Sequence, residues 1–513
     1  MRFGRVVRAP RGLAQLAALD RSALESMPGV VLVHEGSFAG VLAEREEAAV
    51  KAMRAVRDHS RWEPAAALPG DIHAWLKAHV AEQHLISEKT DAAASDRALT
   101  TIEASYTKPY VAHASIGPSC AIAQWSGDTV TVWSHSQGIF NLRRDLALAL
   151  GMAEDDVVVK HVEGAGCYGH NGADDVALDA ALLARSSGGR PVKVQWMRED
   201  EFGWEPFGPA MAFALKASLE AGGNIVRWQH NLWSNGHSHR PGVSAGPTLI
   251  AASHLARPFE RGSAVNPPLP AGGAERNAIP LYEFPNQRVT NHYVREMPVR
   301  TSALRSLGAY GNVFAIESFM DELARAAQID PIAFRLRHLK DPRALDVIRA
   351  AAQSARWSEW TRDEGRGHGI GFARYKNLGA YCAVIAEVAA ETEVRVARLV
   401  IAVDAGLVVN PDGLVNQIEG GAIQSTSWTL KEQVRFDAEG VASLGWEDYP
   451  ILRFSEVPAV EVVLLDRPEL PSVGVGEAAQ GPTAAAIANA LEDAIGVRVR
   501  DLPLDREHIV AAM

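Results

Sequence analysis

Residues 129–196 read TVTVWSHSQGIFNLRRDLALALGMAEDDVVVKHVEGAGCYGHNGADDVALDAALLARSSGGRPVKVQW, and their hydrophobic period changes repeatedly. TVTVWS alternates and is rich in β-branched residues, which predicts a strand. FNLRRDLALALGM spaces its apolar residues as a helix does, and DDVVVKHV returns to strand. DDVALDAALLARSSGG is helical again and stops at a glycine pair, and PVKVQW is a further strand. This β–α–β–α–β order predicts a layered α/β architecture.

Working upstream, VVLVHEG (30–36) and FAGVLAE (38–44) read as paired strands. The amphipathic helix EREEAAVKAMRAVRDH (44–59) follows, acidic at its start and basic at its end. The polar stretch SEKTDAAASDRALT (87–100) reads as a linker. Downstream, AMAFALKASLE and NIVRWQHNLW flank AGG (221–223) as a hairpin. Residues 241–285, rich in proline and glycine, read as long loops. VFAIESFMDELARAA (313–327) and DPIAFRLRHL (330–339) are helices, the second with Asp330 as N-cap and Pro331 at its first position. Beyond residue 366, CAVIAEV pairs with VRVARLVIAV, and the helices NPDGLVNQIEGGAIQSTSWTL (410–430) and PTAAAIANALEDAIG (482–496) bracket the strand AVEVVLLD (459–466). The chain is expected to be mixed α/β (α+β) and, at 513 residues, to form about three domains.

Composition narrows the function. A net charge of −11 offers no basic face for nucleic acid. The opening MRFGRVVRAPRG lacks the apolar run of a signal peptide, and no apolar stretch reaches transmembrane length, so a cytoplasmic protein is expected, with a periplasmic complex as the alternative. Cys120, Cys167 and Cys382 are dispersed and form no CxxC pair, which excludes an iron–sulfur cluster or a sequence-local zinc site held by this chain alone.

Three motifs invite other readings. GAGCYG (164–169) matches the dinucleotide fingerprint, the basis of an alternative NAD(P)-dependent dehydrogenase. That fold needs the helix to begin inside the glycines, yet His170-Asn171-Gly172-Ala173 intervene before Asp174. GVSAG (242–246) matches a hydrolase elbow, but it lies between Pro241 and Pro247 in a loop, so Ser244 is not an activated nucleophile. His230, His237 and His239 lack a nearby acidic partner and are expected to be exposed or to cap loops, with no metal bound directly by side chains.

Other segments are less easily dismissed. HSQGIF sets Gln137 beside Gly138 just past a strand end. VRTSALRSLGAYGN places Arg305 in a small-residue loop leading into a helix, and GVGEAAQGP puts Glu477 directly after Gly476, before another helix. Singly, each has a bland reading: a turn, a surface arginine, a capping carboxylate. Six segments agree in content and order: SYTKPYVAHASIGPSC (105–120), WSHSQGIFNLR (133–143), HVEGAGCYGHNGADD (161–175), VRTSALRSLGAYGNVFAIESFMDELA (299–324), VDAGLVVNPDGLVNQIEGGAIQ (403–424) and GVGEAAQGPTAAAIANA (474–490). Together they resemble the molybdopterin-binding subunit of the xanthine oxidase and aldehyde oxidase family, in its isoquinoline 1-oxidoreductase and nicotinate dehydrogenase branch.

The resemblance implies a partial hammerhead-like α/β unit with its linker (1–98) followed by two molybdopterin-binding domains (99–345 and 346–513). It implies that Gln137 and Gly138, the turn Gly166, Cys167, Tyr168 and Gly169, Arg305, and Gly476 contact a molybdenum–molybdopterin cofactor in its cytosine dinucleotide form. Glu477 would be the general base in a hydroxylation that draws its oxygen from water. Asn171 stands where purine-oxidising members carry a substrate-binding glutamate, and Cys167-Tyr168 replaces phenylalanine–glycine, so the implied substrate is an N-heteroaromatic ring or an aldehyde. Electrons would leave to a small [2Fe–2S] partner subunit. In this branch a GQG-containing, pterin-contacting segment precedes the phrase similar to FGRVVRAP, so a separate polypeptide supplying it is expected. The alternative is a truncated, non-catalytic remnant or assembly partner.

Overall fold

The computed structural model describes residues 1–63, 67–361 and 363–513. Three larger sheets organise them, with two further two-stranded sheets. The first has seven strands, ordered across the sheet Val157–His161, Thr129–Ser134, Cys120–Ser126, Val192–Gln195, Arg2–Val7, Phe38–Ala43 and Val31–Glu35. Strands Thr129–Ser134 and Val157–His161 are parallel, as their helical crossover Ile139–Leu150 requires. The opening strand lies inside the sheet, parallel to Val192–Gln195 on one side and antiparallel to Phe38–Ala43 on the other. The second sheet runs Glu82–Lys89, Asn286–Val294, Ile225–Asn235, Met211–Leu219, Thr100–Lys108, and contains the expected hairpin. The third runs Arg366–Arg374, Tyr381–Ala390, Val394–Asp404, Ala459–Leu464.

The polar stretch 87–100 is not a linker. It ends one strand of the second sheet, makes the short helix Ala92–Ser95 capped by Asp91, and begins another strand of the same sheet. Its polarity reflects outward-facing strand ends and a solvated cap.

The helix Ala173–Ala184 is buried at every position, and its three aspartates have partners. Asp179 pairs with Arg8 and accepts from the Trp196 indole at 2.9 Å, Asp175 pairs with Arg300 at 2.7 Å, and Asp174 accepts from Ser136 at 2.5 Å. Buried carboxylates survive only when paired or hydrogen-bonded, so this helix is tied at fixed points to the loops around it.

The helix Gln480–Ile495 lies on strand Arg366–Arg374 through Gly367, Gly369 and Gly371, which share one strand face. A Cβ on these three would come within 2.1–2.2 Å of the helix backbone. Alternate glycines let helix and strand meet backbone to backbone and fix where the helix, and Glu477 just before it, begins.

Candidate functional site

The four segments singled out above, around Gln137, Gly166–Gly169, Arg305 and Glu477, share one structural property. Each leads into a helix of twelve or more residues: Ile139–Leu150, Ala173–Ala184, Gly308–Ala326 and Gln480–Ile495. None of these helices is capped by its own N-cap side chain, those residues being Gly138, Gly172, Leu307 and Ala479. A helix start has unsatisfied N–H groups and a partial positive charge, the arrangement that receives oxyanions. A Cβ added at Gly138 or Gly476 would meet nothing within 4 Å, so bare backbone faces open space at both.

The glycine turn and the Arg305 loop form one unit. Gly169 pairs with Leu304 as an antiparallel bridge. The amide of Arg305 donates to the Tyr168 carbonyl at 2.7 Å, and that of His170 to the Ala303 carbonyl at 2.7 Å. The pairing needs left-handed backbone: Gly166, Tyr168 and Gly169 have φ of 106°, 55° and 134°. At Gly169 a Cβ would sit 1.9 Å from the Ala303 oxygen, so only glycine fits. Tyr168 is 36% exposed on the open side.

The Arg305 guanidinium then reaches the third segment. Its Nε and Nη2 donate to the Gly476 carbonyl at 3.0 and 2.7 Å, and Nη1 donates to Gln424 Oε1 at 3.2 Å. Gln417 donates to the same Gly476 oxygen at 2.8 Å. The Gln480 amide fits between its neighbours with its oxygen 2.7 Å from Arg305 Nε and its nitrogen 3.2 Å from the Glu477 carbonyl. Desolvation lowers the Arg305 pKa, but the guanidinium remains a cation at neutral pH.

The Glu477 side chain, 29% exposed, accepts hydrogen bonds from the Tyr375 hydroxyl and from Arg276 Nη1, the latter at 3.2 Å. Arg276 is anchored on the carbonyls of Ala271 and Gly272 at 2.7 and 3.2 Å, and its Nη1 meets the Tyr375 hydroxyl at 2.5 Å. Burial, followed by the Glu477 charge, pushes the Tyr375 phenol well above its ordinary range, so it stays a donor. Asn277, Lys376 and Asn377 hold left-handed φ of 59°, 56° and 55°. Asn277 Oδ1 accepts from the Lys376 amide at 2.8 Å and its Nδ2 donates to the Arg374 carbonyl at 2.8 Å, so the two strained turns brace each other. Arg276 and Tyr375 carried no sequence signal: one sits in a turn and the other in the short 3-10 segment Tyr375–Asn377, and only the fold brings them to Glu477.

Gln137 is exposed and accepts from Arg240 at 3.1 Å. Asn171 is only 1% exposed and faces inward, accepting from the Ala173 amide at 3.1 Å and donating to Ser115 Oγ at 3.2 Å and the Gly166 carbonyl at 3.4 Å. Cys167 Sγ lies 3.1 Å from the Gly169 carbonyl, and burial pushes the thiol up to about 11, leaving it protonated.

The competing motifs do not form sites. The helix after GAGCYG begins at Ala173, outside the glycines, which excludes the dinucleotide geometry. His230, His237 and His239 are buried rather than exposed, because hairpin and loop close over them: His230 Nδ1 pairs with the Ala278 carbonyl at 3.0 Å and His237 Nε2 with Ser234 Oγ at 3.1 Å. Among the described residues no group of three or more His, Cys, Asp and Glu is placed to hold a metal ion, and no helix is long and apolar enough to cross a membrane.

The glycine turn, the Arg305 clamp and the segment carrying the Glu477 carboxylate thus form one connected unit, with open space beside Gly476. The chain belongs to the molybdopterin cofactor-binding family: two models described as molybdopterin cofactor-binding domains match residues 72–266 with 262–339, and 312–458. It is 40% identical over 554 aligned positions to one of the subunits of nicotinate dehydrogenase from Pseudomonas putida, covering 100% of this chain and 44% of that one. It is 30% identical to the beta subunit of isoquinoline 1-oxidoreductase from Brevundimonas diminuta, covering 77% and 48%. The chain thus spans about half the length of the curated relatives it matches. The crystal structure of quinoline 2-oxidoreductase from Pseudomonas putida 86 shares the fold, with a TM-score of 0.79 at 15% identity over 99% of this chain and 94% of that one.

Proposed function

We propose that this chain is the cofactor-holding, catalytic part of a molybdenum hydroxylase that oxidises an N-heteroaromatic ring or an aldehyde with water as the oxygen source. The observation that carries the reading is the convergence of the Tyr168–Arg305–Gly476 contacts on the backbone beside Glu477. The cofactor fits the residues present: the uncapped helix start at Gly138 suits its phosphate and oxygen groups, and Gly476 leaves room for close approach. When bound, molybdenum–molybdopterin accepts the two electrons of the oxidation.

The chain's residues do the rest. Gln137 offers its amide to the cofactor's oxygen side, and Gly138, Gly166, Cys167, Tyr168 and Gly169 present backbone. Arg305 holds Gly476, and Glu477 takes the proton from the attacking oxygen. Tyr375 and Arg276 orient that carboxylate. Asn171 shapes the glycine turn from behind, in place of the substrate contact its sequence position suggests. The cofactor is proposed in its cytosine dinucleotide form, electrons pass to a small [2Fe–2S] subunit, and a GQG-bearing segment outside these 513 residues covers the pterin. Both relatives above are themselves named as subunits.

The test is molybdenum analysis and pterin fluorescence on the complex co-purified with these partners, together with turnover of nicotinate, isoquinoline and an aromatic aldehyde. Stoichiometric molybdenum with oxidation of one of these supports the reading. A folded complex free of molybdenum and pterin overturns it in favour of a non-catalytic remnant.

A further inference from the structure

The loops that face the cofactor space are also joined behind it. Asp174, in the first turn of the buried helix Ala173–Ala184, accepts from Ser136 Oγ at 2.5 Å through Oδ1. Ser136 Oγ in turn accepts from the Gly138 amide at 3.1 Å. The other oxygen, Oδ2, lies 3.3 Å from His170 Nε2, close enough to pair although off the axis of the ring N–H. His170 Nδ1 contacts Ser302 Oγ at 2.8 Å, and Ser302 Oγ accepts from the His239 amide at 2.8 Å. Asp174 is 6% exposed, Ser136 and Asn171 1%, and His170 and Ser302 fully buried.

One assignment of protons is consistent with the row. His239 N–H donates to Ser302, whose hydroxyl donates to His170 Nδ1; Nε2–H then faces Asp174, and Ser136 donates to the same carboxylate from the other side. Burial, then the charges of Arg300 and Arg240, hold His170 neutral, as this assignment requires. Three members lie in the segments of proposed cofactor contacts: Ser136 beside Gln137, His170 beside Gly169, and Ser302 three residues before Arg305.

We propose that Asp174 is a positioning residue that sets the Gln137 loop, the glycine turn and the Arg305 loop in one register, through Ser136, His170 and Ser302. It touches neither substrate nor cofactor. A buried network of this kind holds when fully satisfied and fails as a unit when one member is changed. The inference rests on the functional reading above only for its effect on turnover; the coupling of the loops stands on the hydrogen bonds together with the 3.3 Å contact between Asp174 and His170.

The test compares Asp174→Asn, Ser136→Ala and Asp179→Asn in the co-purified complex. Asp179 lies on the same helix but bonds to Arg8 and Trp196, away from the three loops, so its variant controls for simple destabilisation. Amide exchange is followed in residues 136–140 and 302–306, with kcat and KM on the same preparations. Asp174→Asn is expected to speed exchange in both segments by about tenfold relative to Asp179→Asn, and to lower kcat at least about tenfold with KM within about threefold. Ser136→Ala, a smaller change that leaves the fold intact, is expected to loosen 302–306 although Ser136 does not touch it. Exchange that changes only in the segment next to the substitution, or equally in the Asp179 variant, overturns the proposal. A wild-type complex without molybdenum removes the functional reading while the exchange measurement still decides the coupling.

Discussion

Arg305 holds Gly476 by two hydrogen bonds to one carbonyl oxygen, at 3.0 and 2.7 Å, and so fixes the residue directly before Glu477 from a loop 171 positions away in sequence. A guanidinium can do this because its N–H groups form a rigid planar fork; a lysine ammonium cannot. Gln417 supplies a second donor to the same oxygen, so losing the fork displaces the turn without freeing it. Arg305→Lys is therefore expected to lower turnover by about 10–100-fold while leaving thermal unfolding within a few degrees of the parent. Turnover and unfolding measured on one preparation decide it, and turnover within about twofold of the parent would show that the clamp is dispensable.

Glu477→Gln keeps an acceptor for Tyr375 and Arg276 but removes the base. Molybdenum content is expected to stay near that of the parent and turnover to fall by about 10²-fold or more. Turnover within about tenfold of the parent would remove Glu477 as the base.

Two glycines near the site should respond in opposite ways. Gly169→Ala places a Cβ 1.9 Å from the Ala303 oxygen at a φ of 134°, so the bridge to Leu304 must open. Strain of this kind costs on the order of 1–3 kcal/mol, and a lower unfolding temperature with reduced cofactor content is expected. Gly476→Ala meets nothing within 4 Å and is expected to leave the unfolding temperature unchanged. Equal unfolding temperatures for both variants would contradict the pairing of the two loops.

Stability should fall as pH rises, and Glu201 is the clearest source. Burial, with Glu205 next in importance, pushes its carboxyl up to about 8, and Ser119 donates to it from N and Oγ at 2.7 and 2.8 Å. A folded-state pKa above the unfolded one means that the folded protein holds the proton more tightly. The advantage is full at acidic pH and is lost as pH climbs from the unfolded value near 4.5 through about 8. Asp200 and Glu432, each raised to about 7 by burial, act in the same direction. Glu201→Gln should narrow the gap between unfolding temperatures at pH 5.5 and pH 8.5 by about 2 °C or more. An unchanged gap would show that Glu201 does not titrate in this range.

Much of the architecture could be read from pattern alone, because the long helices and alternating strands carry periods that burial enforces: the crossover Ile139–Leu150, the hairpin around AGG and the proline-started helix Pro331–Arg337 all lie where the sequence puts them. The stretch 87–100 failed the same logic, since strand ends and a capped short helix are polar for the same reason that a linker is. At the site, Arg305 and Glu477 stood out through their small neighbours and helix starts, and the structure joins their loops. Arg276, Tyr375 and Asp174 did not. Their roles depend on contacts across 201, 102 and 38 positions, which no local window contains.

The strand Arg2–Val7 sits between two neighbours made at very different times. Its partner Phe38–Ala43 leaves the ribosome soon after it, whereas Val192–Gln195, paired with it from Arg2↔Val192, follows only after about 190 further residues. During that interval a hairpin-backed strand waits with one hydrogen-bonding edge open, the condition in which a nascent chain recruits the wrong partner. Closing that seam must therefore wait until Val192–Gln195 has been made.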